Sequence, residues 1–284
     1  MRLALLALSC CDSTISSAMP RALPLLTRSR LLSMRGGASV DSPVRRLMLT
    51  SSGLTTPQLE QKFRQLMEAS TPPSAPSRIA MIVTAQLAPS VQETASPDAA
   101  LTSKRSPGEL RRRRLADARK KGRLISAQLG VPVECIDCLR VEPAELRASL
   151  EGASCIWVTG GNTFFLWQAM RRTGLDALIR ERVASGALYV GCSAGAIVAG
   201  RSIVPAFWKG WDSPAAASET NWDDASNLVG MGLANSSFFP HFAPSWAELV
   251  ERKRGDLDHP VICLDEECAF ISGDDSHALL ERGG

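Results

Sequence analysis

Short apolar runs alternate with helical segments along most of this chain, and this alternation limits the possible folds more than any other feature. The runs lie at residues 46–50, 79–83, 131–136, 155–158 and 187–190. Between most of them, apolar residues recur at helical spacing, with proline or a hydroxyl residue at the start and glycine at the end. Continuous apolar strands are typical of sheets covered on both faces. We therefore predict an α/β fold with a doubly wound, mostly parallel sheet and helices on both faces.

Local signals predict where two of the helices begin and end. Thr56 followed by Pro57 predicts one N-terminus, and the capping box that runs from Ser106 to Glu109 predicts another. The second helix is expected to stop at Gly130. It is strongly basic at residues 111–114 and 120–121. We interpret this charge as a solvated outer face, with an anionic partner as the alternative.

Two small-residue motifs follow predicted strands. Gly-Gly-Asn at residues 160–162 comes after one strand, and Gly-Cys-Ser-Ala-Gly at residues 191–195 comes after the next. Sites in parallel sheets lie beyond the carboxyl ends of the strands. The second motif has the Gly-x-Ser-x-Gly pattern of a nucleophile elbow, which makes Ser193 a candidate nucleophile and the Ala194 amide a candidate oxyanion donor.

A serine nucleophile needs a base, and the chain has 3 histidines. His241 follows the apolar run 237–240, so it occupies another strand end. His259 lies in a charged stretch and is expected to be solvent-exposed, and His277 is expected in a hairpin turn at residues 274–277. We therefore predict His241 as the base.

The base needs a carboxylate that orients it, and four acidic residues come into question. Glu266 follows the predicted strand 261–264, whereas Asp212 lies in an aromatic loop after the elbow helix. Asp223 and Asp224 are also available but lie in a polar stretch. The choice between Glu266 and Asp212 stays open at this point.

Composition indicates neither a metal centre nor a nucleic-acid partner. The formal net charge is only +3. Cys135 and Cys138 have the spacing of redox and zinc sites, but residues three apart on a strand point to opposite faces. We therefore expect reduced cysteines that pack as small apolar groups, with no metal and no cofactor.

The first 44 residues differ in composition from the rest. A short apolar run at residues 3–8 precedes a segment from Ser13 to Ser39 that is rich in serine, arginine and leucine and has no acidic residue. This pattern is typical of a transit peptide for a plastid or mitochondrion. The alternative is an untargeted extension of a cytoplasmic protein. We predict a targeting or disordered extension at 1–44 and a single α/β domain at 45–284, with no membrane partner and the oligomeric state left open.

Three blocks together resemble those of the peptidase E (aspartyl dipeptidase) family, which also includes cyanophycinases. They are Val-Thr-Gly-Gly-Asn-Thr-Phe at 158–164, Gly-Cys-Ser-Ala-Gly-Ala at 191–196 and Phe-Pro-His-Phe at 239–242. Leu-Thr-Ser-Ser-Gly at 49–53 is also similar, and the resemblance covers roughly residues 45 to 275. It implies a three-layer sandwich like that of class I glutamine amidotransferases, with a flavodoxin-like sheet.

The resemblance also implies roles for particular residues. Ser193 would replace the elbow cysteine of the amidotransferases, and His241 would be the base. The turn Gly160, Gly161 and Asn162 would help to form the oxyanion hole, through the Gly161 amide together with that of Ala194. The family's triad glutamate follows a strand in a Leu-Pro-Glu context, which Leu-Asp-Glu at 264–266 matches except at the proline. An aspartate after the elbow is also implicated in the family, and Asp212 is the nearest match.

One departure bears on specificity. Aspartyl dipeptidases of the family bind the substrate's aspartate through an arginine in a Gly-Glu-Thr-Arg-Glu-like loop after the histidine, and here Ala-Pro-Ser-Trp-Ala-Glu stands at 243–248. We therefore expect a serine peptidase for short peptides, with dipeptides that begin with aspartate as one candidate class. The alternatives are an esterase or amidase with the same elbow, and a non-catalytic binding protein.

Overall fold

A computed structural model describes residues 45–72, 74, 76–89, 106–273 and 276–280. All of them belong to one compact unit, Asp41–Gly284. The predictions for residues 1–44, and most of the polar loop expected between residues 88 and 105, lie outside the described residues.

The described strands form one large sheet and one small one. The large sheet has the order β3-β2-β4-β5-β1-β8-β9, and its first five strands are parallel. Strand β8 pairs antiparallel with β1, and β9 pairs antiparallel with β8. The small parallel sheet pairs β6 with β7. The strands are β1 (Leu47–Thr50), β2 (Ile79–Ile82), β3 (Val133–Ile136), β4 (Cys155–Val158), β5 (Leu188–Cys192), β6 (Ser237–Phe239), β7 (Val261–Cys263), β8 (Ala269–Gly273) and β9 (Ser276–Leu280).

Helices cover both faces of the large sheet, which confirms the predicted fold class. Alternate strand residues point to opposite faces, so Leu47 and Leu49 enter one apolar cluster and Met48 enters the other. Helices α1 and α2 pack on the Met48 face, and α3, α4, α5 and α6 pack on the opposite face. The helices are α1 (Pro57–Ser70), α2 (Pro107–Leu129), α3 (Pro143–Glu151), α4 (Thr163–Thr173), α5 (Leu175–Ala184), α6 (Ala194–Ala199) and α7 (Ala247–Arg254).

The predicted helix boundaries are confirmed. The Thr56 side chain accepts a hydrogen bond from the amide of Leu59 at 3.2 Å, and Ser106 and Glu109 form the reciprocal capping box of α2. Gly130 ends α2 in the left-handed conformation, with φ 70°. Strand β3 begins at Val133 rather than at residue 131, because Pro132 has no N–H to donate to a sheet.

The two cysteines of the Cys-x-x-Cys sequence lie on opposite faces of the sheet, as predicted. Cys138 is buried in the cluster that contains Leu47, and Cys135 packs against the cluster that contains Met48. Both thiols are free. In the part of the chain that the structure describes, no helix combines the length and the apolar character that crossing a membrane requires.

The basic helix α2 is exposed over most of its charged residues, but it is not simply a solvated outer face. Arg111 forms an ion pair with the buried carboxylate of Asp137 and donates to the carbonyl of Leu87 at 3.3 Å. Lys121 lines a large cleft that also contains Ser193. The helix therefore forms one wall of the candidate site.

Candidate active site

Ser193 occupies a strained turn between β5 and α6. Its φ is 50° and its ψ is −109°, a conformation that is rare for a residue with a side chain. The amide of Ser193 donates to the carbonyl of Thr50 at 2.9 Å, which anchors the turn to the neighbouring strand β1. The strand–turn–helix context expected of the elbow motif is therefore present.

The two glycines of the elbow are required by close packing. A Cβ atom on Gly191 would lie 2.5 Å from the carbonyl oxygen of Gly195, and a Cβ atom on Gly195 would overlap the carbonyl oxygen of Val158. Both obstacles are backbone atoms, which cannot move away as a flexible side chain could. The absence of side chains at these positions lets β5, α6 and β4 approach closely.

Gly195→Ala is expected to destabilise the fold by about 1–3 kcal/mol, because the new methyl group must displace backbone. For a protein of this size, that loss lowers Tm by about 2–4 °C for each kcal/mol. Gly255→Ala is the matched control, since a Cβ atom there meets nothing within 4 Å. Thermal unfolding of both variants tests this prediction, and equal Tm values would contradict it.

The small sheet brings His241 and Glu266 together. Strands β6 and β7 are parallel neighbours, so the segments that follow them leave the sheet side by side. The Nδ1 atom of His241 lies 2.6 Å from Oε1 of Glu266, and its Nε2 atom lies 3.0 Å from Oγ of Ser193. A hydrogen-bonded chain therefore runs from Ser193 through His241 to Glu266.

Glu266 is held as a carboxylate by its partners. Partial burial by itself would raise the pKa of Glu266, but hydrogen bonds from Ser52 and His241 and the charges of His241 and Lys209 lower it below the usual value. The Ser52 hydroxyl binds the second carboxylate oxygen, Oε2. Both oxygens of Glu266 are thus engaged, so the carboxylate presents one fixed oxygen to the imidazole ring.

The backbone of His241 is held at both of its polar groups. His241 has φ 54°, and its amide donates to the hydroxyl of Ser51 at 2.8 Å. The Ser51 hydroxyl in turn donates to the carbonyl of Leu264 at 2.8 Å. On the other side, Nζ of Lys209 donates to the carbonyl oxygen of His241 at 2.8 Å.

The structure corrects the placement of His259, which is not solvent-exposed. Its side chain is only 5% exposed, with Nδ1 2.6 Å from Asp258 and Nε2 2.7 Å from the hydroxyl of Ser237. This arrangement resembles a triad, but Ser237 is fully buried and also donates to the carbonyl of Ser202. No substrate can reach that hydroxyl. His277 lies in β9 rather than in the predicted turn.

The Gly-Gly-Asn turn packs directly against the elbow. A Cβ atom on Gly160 would lie 3.0 Å from Cβ of Ser193, and Gly161 has φ 137°, which favours glycine. Within the described part of the chain, the amides of Gly161 and Ala194 have no hydrogen-bond acceptor. The side chain of Asn162 instead caps α4 through the amide of Phe165 at 2.9 Å.

Asp212 lies close to the site, but no hydrogen bond joins it to His241 in the part of the chain that the structure describes. Its Oδ2 atom accepts the amide of Thr163 at 3.0 Å, at the beginning of α4. Burial raises the pKa of Asp212, while hydrogen bonding from Thr163 and the charge of His241 oppose that shift. Of the two acids that the sequence left open, Glu266 is therefore the one that hydrogen-bonds the histidine.

A cleft of about 530 Å³ opens beside Ser193 and His241. Its volume falls in the range of small-molecule and peptide pockets. The floor and walls combine apolar and amide side chains with one lysine, and they are formed by Leu54, Met81, Gln86, Lys121, Ile125, Gln128 and Trp157. A smaller cavity that also reaches Ser193 and His241 is lined by Lys209, Trp211 and Asp212 among others.

Sequence reasoning did not assign roles to Ser51, Ser52, Lys121 or Lys209. The two serines follow β1 directly, and a strand end in a parallel sheet is a signal that could have identified them. Nothing in the local sequence distinguishes Lys209, because its partners come from distant segments.

Comparison with known proteins supports the same family. The model of peptidase family S51 matches residues 116–280. Peptidase E of Shewanella amazonensis is 47% identical over 149 residues, which cover 49% of this chain and 59% of the relative. An uncharacterized peptidase of Listeria innocua is 42% identical over 108 residues, which cover 38% of this chain and 51% of the relative.

Two crystal structures share the fold. One is a protein of Listeria monocytogenes EGD-e, provisionally named a peptidase E, with a TM-score of 0.58, 23% identity, and coverage of 84% of this chain and 100% of that chain. The other is a peptidase from an acI-B1 Actinobacterium, with a TM-score of 0.55, 20% identity, and coverage of 85% and 89% respectively.

The chain spans about half the length of the curated relatives it matches. The family model nevertheless matches more than half of the chain, and the strand–elbow–helix geometry agrees with the motif that identified the family. The chain belongs to peptidase family S51.

Proposed function

We propose that this protein is a serine-type peptidase that hydrolyses short peptides through an acyl-enzyme on Ser193. The observation that carries the proposal is the hydrogen-bonded chain from Ser193 through His241 to Glu266, beside an open cleft. Nucleophile, base and orienting carboxylate stand within hydrogen-bond reach of one another, which is the arrangement that nucleophilic acyl transfer requires.

In the proposed first step, Oγ of Ser193 attacks the peptide carbonyl carbon while Nε2 of His241 takes the hydroxyl proton. The negative charge that develops on the carbonyl oxygen is stabilised by the amides of Gly161 and Ala194. The imidazolium then gives its proton to the leaving amine, and the carbon–nitrogen bond breaks. Water releases the acyl group by the same steps, with His241 again acting as base.

Glu266 contributes through the imidazole ring. An ionised carboxylate can only accept a hydrogen bond, so Nδ1–H donates to Oε1 of Glu266. In the neutral imidazole the other ring nitrogen, which faces Ser193, is then left without a proton. The carboxylate then stabilises the positive charge that the ring carries in each transition state.

Purified protein tested with a dipeptide library, with p-nitrophenyl esters and with a fluorophosphonate probe separates the candidate functions. The proposal expects peptide hydrolysis and labelling at Ser193. Ester hydrolysis without peptide hydrolysis would favour an esterase. If Ser193 is neither labelled nor active, the protein is a binding protein on the same scaffold.

Specificity for an N-terminal aspartate would need a cation to bind the substrate carboxylate, and the arginine loop of the family is replaced here by a different segment. Residues 244–246 form a single helical turn that leads directly into α7. Among the described residues that line the large cleft, Lys121 has the only permanent positive charge. We propose that a substrate carboxylate in this cleft is bound by Lys121.

Lys121→Met is expected to lower kcat/KM about 3- to 5-fold for peptides with a carboxylate in the cleft, because an exposed ion pair contributes little. The kcat/KM for peptides in which that carboxylate is replaced by an amide should be the same in Lys121→Met as in the wild type. Lys120→Met is the matched control, since Lys120 is the exposed neighbour on the same helix and does not line the cleft. Equal losses in the two variants, or equal losses for acid and amide peptides, would contradict the assignment.

A further inference from the structure

Lys209 lies in a cage of aromatic rings next to the histidine loop. Its Nζ atom is 4.3 Å from the ring centres of both Trp211 and Phe239, and 5.4 Å from that of Trp246. These distances are within the range of cation–π attraction. The cage limits the positions that the flexible lysine side chain can occupy. The ammonium group is therefore held in a fixed position near the histidine loop.

Two of the three ammonium donors are used by consecutive carbonyl oxygens. Nζ donates to the carbonyl of Pro240 at 2.5 Å and to that of His241 at 2.8 Å. Hydrogen bonds from a charged donor are roughly twice as strong as neutral ones. Lys209 therefore holds the peptide units on both sides of the His241 α-carbon.

The contact between Lys209 and His241 affects the backbone of His241, whose conformation is unfavourable by itself. A φ of 54° is uncommon for a residue with a side chain, and it persists where the surroundings hold the backbone in place. The amide of His241 is held by Ser51, and its carbonyl by Lys209. The direction in which the imidazole leaves the backbone, and hence the 3.0 Å distance from Nε2 to Ser193, depends on these two contacts.

We infer that Lys209 is a positioning residue, whose ammonium group fixes the backbone of His241 so that the imidazole meets Ser193. The inference rests on the proposed function, and it adds a residue outside the nucleophile, the base and the acid. Lys209 acts through the two carbonyl groups and does not need to touch the substrate.

The charge of Lys209 makes the contact depend on pH. Desolvation lowers the pKa of Lys209 to about 8, although the negative charge of Glu266 and the thiol of Cys263 oppose the shift. Asp212 and His241 line the same cavity. Below pH 8 the ammonium is present and holds the loop. As pH rises through 8 the proton is lost, and a neutral amine binds both the carbonyls and the rings less strongly.

The test compares Lys209→Met and Lys209→Arg with the wild type and with Lys253→Met, a control at an exposed lysine of α7. The readout is the second-order rate of Ser193 labelling by a fluorophosphonate between pH 6 and pH 10. This probe has no amino group, so its own titration cannot produce a change near pH 8. Hydrogen exchange of residues 237–246 provides a second readout that does not require catalysis.

We expect Lys209→Met to label about 100-fold more slowly at neutral pH and to exchange faster around His241, because misplacing a catalytic group by 1 Å costs on the order of that factor. Lys209→Arg keeps a charge at every pH tested, so it should restore labelling and remove the decline that the wild type shows above pH 8.

Lys209→Met labelling and exchange equal to the control would overturn the inference, and so would an identical alkaline decline in the arginine variant. If Lys209→Met does not fold, the pH profile of the arginine variant decides the question. If the wild type is not labelled at all, the proposed function fails, and exchange around His241 still decides whether Lys209 holds the loop.

Discussion

Ser193→Ala is expected to lower kcat for peptide hydrolysis by about 10⁴- to 10⁶-fold. The substitution removes only Oγ, the atom that we propose forms the acyl bond. The strained backbone of the turn is held by the Thr50 carbonyl and by the close packing of Gly191 and Gly195, none of which involves the hydroxyl. The fold should therefore remain intact, with an unchanged circular dichroism spectrum.

Cys192→Ala is the informative companion variant. The thiol of Cys192 precedes the elbow serine, and burial raises its pKa, so it stays protonated and is a poor nucleophile. We expect this variant to keep fluorophosphonate labelling at Ser193. Activity that survives in Ser193→Ala and disappears in Cys192→Ala would assign the nucleophile to the cysteine and overturn the mechanism.

Glu266→Gln is expected to lower kcat by about 10²- to 10⁴-fold, with little change in KM. An amide has no negative charge to stabilise the imidazolium. It can also present its NH₂ group to Nδ1, which would leave the ring with its proton on Nε2 and unable to accept from Ser193. Steady-state kinetics measures this loss, and the Ser52 contact to Oε2 is a reason to expect that the side chain keeps its position.

Asp212→Asn provides the comparison between the two acids. Asn at this position still has an oxygen that can accept the Thr163 amide, so the packing around α4 is preserved. We expect a loss of less than about 10-fold, since no hydrogen bond joins Asp212 to His241 among the described residues. A larger loss in this variant than in Glu266→Gln would show that Asp212 supports the base during catalysis.

Local sequence was sufficient for the elements that depend on local geometry. Thr56, Ser106 and Gly130 mark helix ends because a cap needs only a hydroxyl, a glycine and the next turn of backbone. The parallel sheet was predictable because strands covered on both faces must be apolar throughout. Ser193 was recognisable because an elbow needs small residues at fixed spacing around it.

Contacts between distant segments were not predictable in the same way. His259 lies in a charged stretch, yet its side chain is almost fully covered, and Ser237, 22 residues earlier, provides the partner of Nε2. The local sequence around Lys209 is that of an ordinary surface lysine. Its partners, Pro240 and His241, come from the loop after β6. Neither partner can be read from the residues that flank these side chains.

The sequence by itself determined the α/β class and predicted Ser193 as the nucleophile and His241 as the base, because these follow from burial patterns and short motifs. Only the tertiary structure decided that Glu266 rather than Asp212 hydrogen-bonds His241. The reason is strand pairing: β6 and β7 lie side by side, so the loops that carry His241 and Glu266 meet. Strand pairing depends on the whole chain. The carboxylate that meets His241 therefore cannot be read from the residues around it.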